Sequence, residues 1–194
     1  MASSPETAKN IKDVAFRLFL EKGYDGTNQR EIAEQAGCTA PAIYFYYHSK
    51  QELFLTILKD TWKLYLENMN KLIKDGVSEH YDLKTVFMEG VYSVQKDYAT
   101  YRFLLRYRLF PVHELAPEIR QLFHESELLE KELYMPFIQH FMKNKDEYKP
   151  QSTEIIYYHF IRMRNCLIND MVISGELISF EKIEIHWKGF CKIV

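Results

Sequence analysis

Apolar residues recur at helical spacing along nearly the whole chain, and no stretch shows the alternation of a half-buried strand. Ile11, Val14, Ala15, Leu18 and Phe19 form one stripe over residues 5–22, and Gly23 stops it. Thr27 can cap a short helix with Ile32, Ala33 and Ala36 at helical spacing, ended by Gly37. Thr39 can cap a second short helix with Pro41 near its start. The run Ile43-Tyr44-Phe45-Tyr46-Tyr47 has the composition of a strand, but the caps argue for helix. Ser49 and Glu52 read as a capping box opening a helix to about residue 74, faced by Leu53, Phe54, Ile57, Leu58, Trp62, Tyr65, Leu66, Met69 and Leu72. About 25 residues make a rod of roughly 37 Å, which Asp75-Gly76 is expected to break.

Further helices follow. They cover 82–98, a shorter arginine-rich piece over 101–110 ended by Pro111, and a long helix opened by Pro117 and kinked at Pro136. After a polar loop over 143–151, a helix over 152–174 is closed by Gly175, and a last one is capped by Ser179. Residues before Pro5 read as a loose tail. The predicted class is all-α: a three-helix helix-turn-helix domain over 1–50 and a helical-bundle domain over 51–194. Two short helices joined by a glycine-containing turn is a helix-turn-helix, whose second helix lies in the DNA major groove.

Charge does not point to nucleic acid. The formal net charge is −2. Within 1–55 the basic residues Lys9, Lys12, Arg17, Lys22, Arg30 and Lys50 are outnumbered by Glu6, Asp13, Glu21, Asp25, Glu31, Glu34 and Glu52. From Gln35 to Gln51, however, the only formal charge is Lys50, so the second short helix carries no carboxylate to repel phosphates. Tyr44 and Tyr46 are candidates for contact with the DNA backbone, whereas Ile43 and Tyr47 should face inward.

Catalytic patterns are absent: no Glu-x-x-His, no His-Glu-x-x-His, no Gly-x-Ser-x-Gly and no glycine-rich phosphate loop. The chain is therefore expected not to be an enzyme and to hold no metal or cofactor. Cys38, Cys166 and Cys191 have no metal-like spacing and are expected to be buried free thiols in a reducing cytosol. With a polar start and no apolar run of membrane length, the expected location is cytoplasmic.

Gly23-Tyr24, Thr27, Ile32-Ala33, Ala36-Gly37, Thr39, Ile43-Tyr44, Tyr46-Tyr47, Ser49-Lys50 and Leu53 occur in an ordered, ungapped set, with Ile11, Ala15 and Phe19 upstream. In this set the chain resembles the N-terminal DNA-binding domain of the TetR family of bacterial transcriptional regulators, and the family pattern supports helix for the run Ile43-Tyr44-Phe45-Tyr46-Tyr47. The resemblance covers roughly the first quarter of the chain; the rest is similar only in length and helical character.

The resemblance implies a transcriptional regulator, most often a repressor answering to a small molecule. The alternatives are an effector-free structural DNA-binding protein on the same fold, or an all-α carrier of hydrophobic molecules. The implied DNA-binding residues are Thr27, Gln29, Arg30, Thr39, Ala40, Pro41, Tyr44, Tyr46 and Lys50. Arg30 would either pair with guanine or hold phosphate, unless it is a plain surface charge. Ala40 and Ala42 stand where many relatives carry polar side chains, which favours reading by apolar contact or DNA shape.

A small hydrophobic or aromatic effector would sit beneath the rod, against Trp62, Tyr65, Met69, Phe87, Phe103, Tyr107, Tyr158 and Arg162, unless these are plain core or surface. Arg162 would orient an anionic group. A two-fold homodimer would form on the last two helices through Ile155, Ile156, Ile161, Cys166, Leu167, Ile168, Met171 and Val172, completed by Trp187 and Phe190.

Overall fold

The computed structural model describes residues 5–78, 81–143 and 152–193. Among these, nine α-helices occur in the order α1 (Pro5–Lys22), α2 (Gln29–Gln35), α3 (Ala40–Tyr46), α4 (Lys50–Ser78), α5 (Leu83–Lys96), α6 (Tyr98–Leu109), α7 (Ala116–Lys143), α8 (Ser152–Ser174) and α9 (Phe180–Ile193). A single 3-10 turn, His113–Leu115, precedes α7. The expected tail before Pro5 and, apart from Lys143, the expected loop over 143–151 lie outside the described residues. None of the described helices is long and apolar enough to cross a membrane.

Local chemistry explains most helix ends. Asn28, in extended backbone, accepts from the Glu31 N–H and caps α2. Thr27, the expected cap, is instead buried, and its hydroxyl donates to the Gly23 carbonyl at 2.8 Å. Thr39 caps α3 through the Ala42 N–H, and Gly37 before it takes φ +65°. At α4, Ser49 accepts from the Glu52 N–H at 3.0 Å, while the Glu52 carboxylate reaches the N–H of His48 at 2.8 Å, one residue earlier than the capping-box pattern. Asp75-Gly76 does not end α4, which continues to Ser78. A glycine inside a helix costs only about 1 kcal/mol, and Gly76 has a packing reason: a Cβ there would lie 3.1 Å from the Tyr81 ring.

The chain divides into two units. The first comprises residues up to Leu64 with Arg102–Phe123. Its three N-terminal helices pack on an aromatic core in which Phe54 meets Phe19 edge-on at 5.3 Å and Tyr107 at 4.7 Å. The late segment also closes the end of α1: Arg106 donates at 3.3 Å to the Leu20 carbonyl, one of those a helix end leaves without an intrahelical partner, and Tyr107 donates at 3.0 Å to the Phe19 carbonyl, which also accepts from the Gly23 N–H. Gly23 follows at φ +78°, with the Arg106 guanidinium occupying the space a Cβ would need.

The second unit comprises Tyr65–Tyr101 and the residues from His124 onward. Phe87, Phe160, Trp187 and Phe190 form its aromatic core, with Phe87 5.6 Å from both Phe160 and Trp187. Beside them lies a buried ion pair. The Arg164 guanidinium, 2% exposed, donates to Glu130 at 2.6 Å and to the Tyr134 hydroxyl at 2.6 Å; Tyr65 donates to the same Glu130 oxygen at 2.9 Å. Burial is the largest influence and works against the charge on Arg164, but Glu130 together with Tyr134, Tyr65 and Tyr101 outweighs it and holds the guanidinium firmly protonated.

Candidate functional site

The helix-turn-helix presents one aromatic face. Ile43 is fully buried, and Tyr47 turns inward to donate from its hydroxyl to the Ala8 carbonyl at 3.3 Å. That leaves Pro41, Tyr44 and Phe45, three and four residues apart and so on one side of α3, exposed together with Thr39. Tyr44 is 51% and Phe45 68% exposed; Tyr46 is half-buried, its ring edge-on to Phe45 at 5.2 Å. Ala40 is half-buried at the start of the helix.

Phe45 was not among the sequence-derived contacts, although it is the most exposed aromatic on α3. An aromatic inside an aromatic run carries no sequence mark of which way it points. Gln29 and Arg30 open α2, Arg30 exposed, and the Gln29 amide nitrogen buried without a hydrogen-bond partner among the described residues. Thr27 is the correction: its buried, internally bonded hydroxyl has nothing to offer DNA.

Lys50 sits at the first turn of α4 with its ammonium 4.1 Å above the Tyr24 ring, a cation–π arrangement. Partial burial lowers its pKa while Asp25 and Glu114 act to raise it. Glu114, 63 residues away in sequence, also accepts from the Gln51 amide at 3.3 Å. Only the tertiary fold brings this carboxylate to the start of α4.

The eight expected effector contacts are divided between the two units, with two of them on the exposed face of α8. Trp62, Phe103 and Tyr107 belong to the first unit, where Trp62 packs on Phe123 at 5.3 Å and Phe103 on Tyr107 at 5.0 Å. Phe87 is enclosed in the second unit's ring cluster. Tyr158 and Arg162 point outward from α8, so neither lines an interior cavity. Tyr65 and Met69 do share a cleft of about 380 Å³, walled by α4, α5 and α6. Tyr65, Met69, Leu72, Val94 and Tyr101 supply its apolar wall, while Lys71, Asp75, Glu89, Lys96 and Asp97 are the charged groups around it. The buried basic group behind this wall is Arg164, not Arg162: Tyr65 bonds its partner Glu130, and the Tyr134 hydroxyl meets Met69 Sδ at 3.5 Å.

Among the described residues no three His, Cys, Asp or Glu side chains gather to hold a metal. All three cysteines are free, but Cys166 is exposed rather than buried, and Cys38 and Cys191 are half-buried. On the outer side of α8 and α9, Ile155, Tyr158 and Ile185 are exposed. Ile156, Leu167, Ile168, Met171, Trp187 and Phe190 are consumed inside the unit and cannot form an outer patch.

Residues 11–57 match the model of the bacterial regulatory proteins, tetR family. Over 67 residues the chain is 42% identical to the HTH-type transcriptional regulator AcrR of Shigella flexneri, covering 34% of this chain and 29% of that protein. Over 65 residues it is 31% identical to the fatty acid metabolism regulator protein of Bacillus subtilis, covering 34% of each. The chain thus matches only about a third of these relatives' length.

The fold extends further. NalD of Pseudomonas aeruginosa, the secondary repressor of the MexAB-OprM multidrug efflux pump, superposes with a TM-score of 0.68 at 22% identity, covering 96% of this chain and 94% of that one. FadR of Bacillus subtilis in complex with stearoyl-CoA superposes with a TM-score of 0.67 at 16% identity, over 94% and 95%.

Proposed function

We propose that this chain, which belongs through residues 11–57 to the tetR family of bacterial regulatory proteins, is a sequence-specific DNA-binding transcriptional regulator, a repressor released by a small-molecule effector. The observation that carries this reading is the α3 face: Thr39, Pro41, Tyr44 and Phe45 exposed on a helix without carboxylates, presented by a helix-turn-helix. Ring faces and the proline suit apolar contact with thymine methyls and readings of groove shape. Arg30 and Lys50 supply phosphate contacts, which fix register rather than sequence. One small unit reads few base pairs, so the regulator acts as a two-fold dimer on two half-sites. The exposed Ile155, Tyr158 and Ile185 of α8 and α9 are the matching surface.

The effector occupies the α4–α5–α6 cleft. Its charged rim and aromatic wall suit a compact molecule with an apolar face against Tyr65, Met69 and Tyr101. Tyr65 lies on the same helix as Lys50, and Tyr101 directly precedes Arg102 of the late segment, so a ligand that moves either ring acts on a helix that continues into the first unit. It can change DNA affinity only by binding the two arrangements unequally.

The test is footprinting on the DNA upstream of the protein's own gene, repeated with Tyr65→Phe and with candidate effectors. Protection of a two-half-site sequence, lost on adding an effector and retained when Tyr65→Phe meets that effector, is the expected result. Protection that no effector changes would support the effector-free reading, and no protection at any sequence would defeat both.

A further inference from the structure

We propose that the hollow between α8 and α9 is an oxyanion site, phosphate being the best fit, whose occupancy strengthens dimerisation through these two helices; the proposal rests on the dimer reading above. The hollow measures about 500 Å³ and is lined by His159, Arg162 and Met163 of α8 and by Ile185, His186, Gly189 and Phe190 of α9. Its lining contains a guanidinium and two imidazoles and no carboxylate. Three acids of α8 and α9 have basic partners: Asp170 with Lys182, Glu154 with Lys131, and Glu184 with Lys84. Arg162 makes no ion pair among the described residues, in contrast to Arg164 two positions on, which is buried on Glu130.

Two details fit a ligand. The Nδ1 of His186 lies 2.8 Å from the Lys182 carbonyl. A carbonyl only accepts, so Nδ1 carries the hydrogen, and in the neutral ring Nε2 is the acceptor. Monohydrogen phosphate offers one O–H to such a nitrogen and acceptor oxygens to the Arg162 fork, a pairing sulfate cannot fully reproduce. Gly189 stands inside α9, and apart from its own helix no described atom lies within 4 Å of where its Cβ would be. A helix-interior glycine is less favourable than alanine by about 1 kcal/mol, and no described side chain fills the opening it leaves.

The rest of the surface calls for a second copy. Ile155, Tyr158 and Ile185 leave apolar area uncovered around a basic hollow. In a two-fold pairing the same face meets itself, so two guanidiniums and four imidazoles are brought to one seam. The apolar side chains favour that association and the two unbalanced guanidiniums oppose it. An oxyanion in the hollow removes the opposition, which makes anion uptake and dimerisation reciprocal.

The experiment is sedimentation equilibrium of the full chain in chloride, in a few millimolar inorganic phosphate and in sulfate, all at matched ionic strength. The wild type is compared with Arg162→Gln and His186→Gln, each first checked by circular dichroism. The expected result is a wild-type dimer dissociation constant at least about fivefold lower in phosphate than in chloride, with sulfate between. Arg162→Gln should dimerise in chloride more tightly than wild type and lose the phosphate response, and His186→Gln should lose the preference for phosphate over sulfate. A wild-type dimer equally tight in all three salts would overturn the proposal and leave the dimer reading standing, as would an undiminished phosphate response in Arg162→Gln. A monomer in every salt would overturn the dimer reading itself.

Discussion

Removing Glu130 should be one of the most damaging single changes in the second unit. Glu130 is 4% exposed, and one of its oxygens accepts both from Arg164 at 2.6 Å and from Tyr65 at 2.9 Å. In Glu130→Leu the guanidinium stays buried with its charge unmatched, and the Tyr65 hydroxyl loses its acceptor. Breaking one partner of a buried pair costs about 3–5 kcal/mol, so about 4 kcal/mol is expected; for a chain of this length that lowers the melting temperature by about 8–16 °C.

Arg164→Met should cost a similar amount, because it strands the carboxylate. The double variant removes both charges at once and should cost no more than the worse single, giving a coupling energy of about 4 kcal/mol or more. The assay is urea unfolding followed by circular dichroism for the wild type, both singles and the double. Singles costing under about 1 kcal/mol each and adding without coupling would refute the account, because the pair would then be open to water.

Gly23→Ala should destabilise the first unit by about 2 kcal/mol or more, since the backbone sits at φ +78° and the new Cβ would fall 2.4 Å from the Arg106 guanidinium; adding Arg106→Ala should restore part of the loss in thermal melts, the part due to the clash. Lys50→Ala should weaken binding to specific and non-specific DNA alike and reduce the salt slope by about 0.9 per protomer, about 1.8 for the dimer, read by fluorescence anisotropy across a salt series. Burial pushes the Tyr107 hydroxyl up to about 12 from an ordinary 10, with Arg106 pulling the other way. The native state therefore binds the proton more tightly than the unfolded chain, so this stability is complete below pH 10 and falls between pH 10 and 12. Urea midpoints measured across that range should drop in the wild type and drop less in Tyr107→Phe.

The parts of the fold legible in the sequence were those whose causes are local. Thr39, Pro41 and Gly37 specify the start of α3 through neighbours within three residues, and Ser179 and Gly175 do the same for α9 and α8. Thr27 misled because its neighbour Asn28 is an equally good cap, and only the chain's return to the Gly23 carbonyl decides between them. Arg162 and Arg164 lie two positions apart, about 200° around a helix. Periodicity could not choose between them, because α8 is apolar on more than one face. Glu130 sits among Glu125, Glu127 and Glu132 and looks like part of a solvated stripe; it is buried only because Arg164 meets it from another helix. The effector residues were not legible for a related reason: an aromatic at helical spacing is core or cavity wall depending on what packs against it.

The late segment Arg102–Phe123 completes the core around Phe19 and Phe54 and bonds the last carbonyls of α1. The reading head is therefore not a contiguous cassette. Swapping only the first 50 or 64 residues into another regulator would graft a surface shaped for Phe103, Arg106 and Tyr107 onto whatever the host carries at those places. Gly23 and Arg106, more than eighty positions apart, would have to travel together. Recombination between relatives is thus constrained at two distant stretches at once, and a folded chimaera needs both.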